Sequence, residues 1–381
     1  MLLYIHVPFC KRKCHYCAFH SVVPGQGEVR LYTDLLIKEM NHWGRKLGRP
    51  EIGTVHFGGG TPSLLTLPQL DQIVRALRNN FAMGPNLEFS FEANPESAAD
   101  WTYLEGLRRL GVNRLSLGVQ SFNDQDLKIL GRPHNAREAE GAVHLARSVG
   151  FPSLSLDLIW GLPGQMAHHW MTNLKKAVSL GLQHISCYGL TIEPGTLLER
   201  LENEGTLVLA AEAEQQKMYV YGGEYLESEG FLQYEISNYA RMGFMSRHNT
   251  GYWEGKNYLG LGPAAVSTLS SRRWKNPEDL QQYARAVTEG TLDQDSEILD
   301  RETRIREMVM LRLRTTRGLR LAAYRKLTGR SLTQEHGPML QALRQGDLIR
   351  ISGGYLRLTR PGMLISDTII SNLFPDDTPQ D

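Results

Sequence analysis

Three cysteines within eight residues constrain this chain more than any other feature. They stand in Cys10-Lys11-Arg12-Lys13-Cys14-His15-Tyr16-Cys17, a CxxxCxxC spacing near the start of a 381-residue sequence. Thiolates at this spacing can wrap one face of a cubane iron–sulfur cluster. Three thiolates serve three irons and leave the fourth open, so the motif points to small-molecule chemistry at the cluster. Structural zinc is the alternative reading. Zinc takes four ligands, and His6, His15 and His20 are close enough in sequence to complete such a set.

The rest of the composition narrows the setting. Only four cysteines occur, three of them clustered, which is no disulfide framework and fits a reducing, cytoplasmic compartment. A formal charge of +1 gives no whole-molecule field that would select a nucleic acid or a membrane. No apolar run approaches the length of a transmembrane span. Leu2–Val7 is too short for a signal-peptide core, and its positive charges follow it instead of preceding it.

Apolar runs at Leu2–Val7, Thr54–Phe57, Leu87–Glu92, Asn113–Val119, Ser153–Ile159 and His184–Leu190 alternate with helical patterns. The helical patterns fall near Leu31–Leu47, Leu67–Phe81, Trp101–Leu110, Ala136–Val149 and Met166–Leu180. Repeated βαβ units predict an α/β fold with a parallel sheet. A complete barrel needs eight strands and about 250 residues. Six strands in the first 190 residues therefore predict an open (β/α)6 partial barrel like that of TIM. Residues 1–230 form this unit in our reading, ending in a long helix over Ala210–Glu229. Residues 231–300 read as a connector rich in glycine and aromatics at its start. Residues 301–374 read as a small winged-helix-like domain, with a hairpin of Leu348–Ser352 and Tyr355–Thr359 turning at Gly353-Gly354. Residues 375–381 are expected to be disordered.

Unusual residues recur at one end of the strands, where parallel barrels place their reactive groups. The cysteine loop follows the first strand, and Gly58-Gly59-Gly60-Thr61-Pro62 the second. Glu92 ends the third, Gln120 closes the fourth, and Asp157 lies in the fifth before Gly161-Leu162-Pro163-Gly164. A glycine run lets backbone approach a ligand closely, although turn formation alone is the simpler reading. In Ser153-Leu154-Ser155-Leu156-Asp157-Leu158 the leucines take one face, so Asp157 faces inward with the serines and needs a partner. Arg132 is either that kind of partner or a surface arginine. Cys187 reads as a buried, inert strand residue.

Two further segments carry weight. In His248-Asn249-Thr250-Gly251-Tyr252-Trp253 a histidine able to ligate haem iron stands beside flat aromatic faces. Docking of the connector on the barrel is the plainer reading. From Arg301 to Arg360 there are fourteen Lys/Arg and four Asp/Glu. That bias suits a nucleic acid, an anionic protein, anionic lipid headgroups or porphyrin propionates, or simply a solvated helix face.

The cysteine motif resembles that of the radical S-adenosylmethionine (SAM) superfamily. There a [4Fe–4S] cluster is held by positions matching Cys10, Cys14 and Cys17, its open iron holds SAM, and a partial barrel is the usual fold. Tyr4-Ile5-His6-Val7-Pro8-Phe9-Cys10, Gly58–Pro62, Gly118-Val119-Gln120-Ser121-Phe122 and Asp157–Gly164 are similar to the oxygen-independent coproporphyrinogen oxidase branch. The resemblance covers most of the chain. It implies SAM contacts from Tyr4, Tyr16, Gly59, Gly60, Thr61, Glu92, Gln120, Arg132 and Asp157. Two departures separate the chain from the oxidase. Phe19 replaces an additional cysteine of that enzyme, and the sequence starts on the cluster strand without the oxidase's extension. Both match the sister group of haem chaperones, whose HNxxYW motif appears as His248, Asn249, Tyr252 and Trp253 and implies haem contact there. Ala18 departs from that group, where an aspartate commonly follows the third cysteine.

The leading expectation is a haem chaperone that passes haem to acceptor proteins, with transient contact at a membrane surface and no nucleic acid partner. Oxidative decarboxylation of coproporphyrinogen III is the alternative enzyme reading. Nucleic-acid modification is a third, supported only by the basic C-terminal segment.

Overall fold

The computed structural model describes residues 1–374, so the expected disordered tail at 375–381 lies outside the described residues. Six parallel strands form the centre of the sheet: β1 (Leu2–Val7), β2 (Glu51–Gly59), β3 (Ala82–Ala93), β4 (Arg114–Gln120), β5 (Ser153–Trp160) and β6 (His184–Gly189). They lie side by side in sequence order. The crossovers carry α1 (Glu28–Lys46), α2 (Leu67–Asn80), α3 (Trp101–Leu110), α4 (Asp124–Ile129), α5 (Ala136–Val149) and α6 (Ala167–Ser179). The α/β partial barrel expected from the alternation is present.

Local chemistry sets the helix ends. Asp100 caps α3 by accepting from the Thr102 and Tyr103 amides, and Gly111 ends it at φ 110°. Asn135 and Glu138 form a reciprocal capping box on α5. The outward leucines of β5, Leu154, Leu156 and Leu158, are buried against the helix layer. The inward positions of the same strand are Ser155 and Asp157, which line the interior. Apolar residues thus fill the space between sheet and helices, and the polar ones collect inside the barrel.

The connector, for which the sequence offered no strand pattern, adds short strands to the sheet. After α7 (Leu197–Asn203) and α8 (Glu212–Ser228), it supplies β7 (Leu232–Gln233), β8 (Asn238–Ala240), β9 (Tyr258–Leu261), β10 (Val266–Leu269) and β11 (Arg272–Lys275), with β12 (Glu297–Ile298) following. β8 pairs antiparallel with β6, and β9 pairs parallel with β1. Among the described residues the sheet therefore has twelve strands, and the connector extends both edges of the six-stranded core. These strands are two to four residues long, too short to show a period of their own. Between them lies α9 (Arg247–Trp253), which carries the HNxxYW motif.

Residues 301–373 form helices around a three-stranded sheet, β13 (Leu319–Arg320), β14 (Ile349–Ser352) and β15 (Tyr355–Leu358). The β14–β15 turn uses Gly353 at φ 58° and Gly354 at φ 78°, the left-handed pair that a two-residue hairpin requires. Part of the basic bias of this region is offset by ion pairs within the fold. Arg314, Arg330, Arg350 and Arg360 pair with Asp367, Glu335, Asp347 and Glu227. No helix among the described residues is long and apolar enough to cross a membrane.

Candidate cofactor site at the carboxyl ends of the strands

The loop after β1 carries Cys10, Cys14 and Cys17, all partly exposed. It is pinned by its neighbours. The Cys10 amide bonds the Val22 carbonyl (3.0 Å), and the His15 amide bonds the Leu130 carbonyl (3.1 Å). The glycine run packs against the same loop, its Gly60 and Thr61 amides donating to the Val7 and Phe9 carbonyls at 2.8 and 2.7 Å. A Cβ on Gly60 would lie 2.6 Å from the Phe9 oxygen, and one on Gly59 would lie 2.5 Å from the His6 ring. Gly59 also holds φ 106°. Close packing inside the protein accounts for these glycines, and the same backbone also lines the cavity described next.

The three cysteines open onto a cavity of about 470 Å³. Every candidate SAM residue except Tyr4 lines it. A hydrogen-bonded arc joins two of the sulfurs. Thr61 Oγ1 donates to Cys10 Sγ (3.5 Å), and Asn94 Nδ2 donates to Thr61 Oγ1 (3.1 Å). Arg132 Nη2 donates to Asn94 Oδ1 (2.6 Å), while its Nη1 donates to Cys14 Sγ (3.3 Å). Arg132 thus donates to a sulfur, an amide oxygen and the Gly118 carbonyl (2.9 Å), with the Glu96 carboxylate near enough to favour its charge. Burial raises the Cys17 thiol above its ordinary value. Tyr16 packs against the small apolar cluster of Leu130, Ile159 and Leu162 on the cavity wall.

Two polar atoms converge from the opposite strands. Gln120 sits at φ 68°, just where the β4–β5 register slips, a left-handed conformation uncommon for a side-chain-bearing residue. Asp157 accepts from Ser116 Oγ (3.1 Å). Its carboxyl is pushed up to about 6, by burial first and by Glu92 second, against the hydroxyls of Ser186 and Ser116. The partner that an inward carboxylate needs is therefore a pair of serines.

Behind the cavity lies a second chamber of about 200 Å³, which shares Glu92, Asp157 and Tyr188 with it. Tyr4 is found here, with His248, Asn249 and Tyr252 of α9. His248 is 2% exposed. Its Nδ1 meets Thr54 Oγ1 at 2.7 Å, and its ring edge meets Tyr252 with centroids 4.8 Å apart. Asn249 Nδ2 donates to Glu235 Oε1 (3.0 Å), and Gly251 packs on Leu2 so closely that a Cβ would lie 2.7 Å away. The motif docks the connector on the barrel, as its plainer reading anticipates. Trp253 does not line either space. Cys187 is buried in β6 with its thiol held protonated by burial, apart from the three cysteines.

Three cysteine thiols opening on one cavity fit the three-thiolate hold of an iron–sulfur cluster. Two of the three sulfurs already accept hydrogen bonds from polar donors, as cluster thiolates do. His6 is committed elsewhere, with Nδ1 on Tyr4 Oη and Nε2 on the His20 carbonyl, both at 2.9 Å. His20 Nδ1 lies 3.4 Å from a Glu278 carboxylate oxygen, while His15 engages the Ile129 carbonyl through Nδ1 alone (2.9 Å). Sequence reasoning missed Asn94, which bridges Thr61 to Arg132, and His56, which touches Glu92. His56 was visible in principle, since it lies two positions before Gly58 and so on the same face of β2.

Residues 4–193 match the model of the Radical SAM superfamily, and residues 299–365 match that of the HemN C-terminal domain. In fold the chain is similar to the solved coproporphyrinogen III oxidase HemN from Escherichia coli. That likeness has a TM-score of 0.82 at 24% identity, over 98% of this chain and 90% of the other. These features define a radical SAM protein with a HemN-type C-terminal domain. The chain is 35% identical to Heme chaperone HemW of Bacillus subtilis (strain 168), over 96% of this chain and 97% of that one. It is 37% identical to Heme chaperone HemW of Synechocystis sp. over 83% and 78%, and 36% identical to Heme chaperone HemW of Escherichia coli (strain K12) over 69% and 70%. The chain belongs to the HemW family.

Proposed function

We propose that this chain is a haem chaperone whose barrel carries a SAM-liganded [4Fe–4S] cluster and which hands haem to acceptor proteins. The observation that carries the reading is the convergence of Cys10, Cys14 and Cys17 with the SAM-type residues around one cavity, in a chain whose relatives are named haem chaperones. Cys10, Cys14 and Cys17 would hold the cluster, which when bound would supply the electron for SAM cleavage. Thr61 and Arg132 donate to two of those sulfurs and fix the loop around them. Gly59, Gly60, Glu92, Gln120 and Asp157 line the space SAM would occupy, with Glu92 and Asp157 as its candidate carboxylate contacts. Tyr4 supports that wall from the inner chamber.

Haem contact falls to His248 and its neighbours Asn249, Tyr252 and Trp253. His248 Nε2 has no hydrogen-bond partner, and burial keeps the ring neutral. With Nδ1–H donated to Thr54, Nε2 presents the lone pair that an axial ligand needs. The chamber of about 200 Å³ is below the range of about 300 Å³ and more usual for small-molecule sites. Axial ligation therefore requires α9 to lift from the barrel. Haem acceptors, a cytoplasmic location and passing contact of the arginine-rich C-terminal domain with a membrane surface complete the proposal.

Haem titration of anaerobically reconstituted protein tests it, run beside an assay of coproporphyrinogen decarboxylation with SAM and reductant. A saturable haem spectrum that changes in His248→Ala, with no decarboxylation, is the expected result. Decarboxylase turnover with no haem binding would replace the chaperone by the oxidase. Binding to tRNA or DNA with steep salt dependence would favour the third reading.

A further inference from the structure

His56 stands between the cofactor cavity and the HNxxYW helix and belongs to neither motif. Its Nε2 lies 2.8 Å from Glu92 Oε1. Its ring runs nearly parallel to that of Tyr4, with centroids 6.0 Å apart and planes at 21°. It is closer still to His248, at 5.0 Å and 18°. The strand register explains the grouping: Tyr4 pairs with His56 across β1–β2, and His56 with Ser90 across β2–β3. All three line the inner chamber.

Little else fixes the His56 imidazole. Its Nδ1 is buried and has no hydrogen-bond partner. Its orientation is therefore set by one polar bond, to Glu92, and by contact with two flat rings. Of those rings, Tyr4 is on β1 and bonded to His6, so it moves only with the sheet. His248 is on α9, a two-turn helix held to the barrel by Thr54, by the Glu88 carboxylate on its amide (2.7 Å) and by packing on Leu2. A shift of α9 removes one face of the stack and loosens the hold on Glu92.

We infer that His56 is a positioning residue that orients Glu92 toward a ligand in the cavity and makes that orientation depend on the seating of His248. The connector helix and the cofactor cavity are thereby coupled. A ligand that engages Glu92 favours the docked helix, and anything that engages His248 alters affinity in the cavity by the same factor. The inference rests on the reading of the cavity as the SAM site.

The test uses the full-length chain with its cluster reconstituted. SAM affinity is read from the change in the electron paramagnetic resonance signal of the reduced cluster, with iron content and circular dichroism measured on each variant. His56→Phe keeps a ring in the stack and removes the donor. Affinity is expected to fall on the order of tenfold, the size of one hydrogen bond to a charged group. His56→Gln restores a donor and is expected to recover most of that loss. His248→Ala is expected to weaken SAM about threefold alone and to add nothing in the His56→Phe background. That non-additivity is what a merely structural histidine would not produce. Unchanged affinity in His56→Phe while Glu92→Gln weakens binding overturns the inference, as does an additive double variant. If Glu92→Gln is also silent, the assignment of Glu92 to the SAM site fails first, and the coupling falls with it for that separate reason.

Discussion

Arg132 holds its Nη1 3.3 Å from the sulfur of Cys14, in the wall of the cavity. Burial opposes the guanidinium charge, yet Tyr16, Cys14 and Glu96 outweigh it and the net direction of its pKa is upward. A guanidinium fixed beside a ligand sulfur would donate to it in a bound cluster and hold its loop in place. Arg132→Leu should therefore retain less iron and sulfide after anaerobic reconstitution. It should also lose iron to a chelator roughly tenfold faster, in line with one charged hydrogen bond. Arg132→Lys should be intermediate, because a single ammonium cannot reach Asn94, Gly118 and Cys14 together. Equal chelation rates in all three proteins would remove Arg132 from the site.

Serine at Cys10, Cys14 or Cys17, one at a time, should abolish the visible absorption of the reconstituted cluster. Cys187→Ser should leave it intact, since Cys187 is buried in β6 away from the cavity. Its cost is confined to stability, about 1 kcal/mol for placing a hydroxyl in an apolar strand position. Iron and sulfide analysis of the four proteins decides. Stoichiometric zinc in place of iron would overturn the cluster assignment altogether.

Gly60→Ala should impair cluster assembly with all three cysteines present. The new methyl group would meet the Phe9 carbonyl at 2.6 Å and the Val7 carbonyl at 2.9 Å, both backbone atoms of the cysteine strand and its loop. Relief requires the glycine run to move off that strand, at about 1–3 kcal/mol. Urea denaturation of the metal-free protein should show the loss. A fully stable variant with normal cluster content would contradict the packing argument.

Glu39 gives a pH test remote from the cofactor site. It is fully buried on α1 and accepts from Tyr283 Oη (2.6 Å), the Gly262 amide (2.7 Å) and Asn276 Nδ2 (2.7 Å). Burial still raises its carboxyl from 4.5 to about 7. The folded chain thus keeps a proton that the unfolded chain releases between those values. Stability from this group is fully present below the unfolded pKa and is lost as pH rises through about 7. Glu39→Gln should flatten the stability profile by roughly 3 kcal/mol between about pH 5 and pH 8. Parallel profiles for the two proteins would refute the shift.

Much of this was legible in the residues themselves. The alternation of Leu154, Leu156 and Leu158 with Ser155 and Asp157 predicted both the burial of β5 and the inward carboxylate. The recurrence of odd residues at strand ends predicted the cavity. What escaped was decided by tertiary contact. The three residues of β8 and the four of β9 are strands because β6 and β1 offer them unpaired edges, and no propensity in such short pieces announces it. Asn94 looks like any turn residue until Thr61 and Arg132 arrive on either side of it. Tyr4, expected among the cavity residues, sits one layer deeper because strand register pairs it with His56 and not with the glycine run.

The connector grips the sheet at both margins, through β8 on β6 and through β9 on β1, with α9 bridging the gap between them. It works like the clasp of a bracelet. The strand that leads into the cysteine loop is therefore secured by residues more than two hundred positions away. A single proteolytic nick near Arg241–Phe244 would leave the clasp attached at each half but no longer closed, and iron loss after such a nick would report how far the metal depends on the clasp.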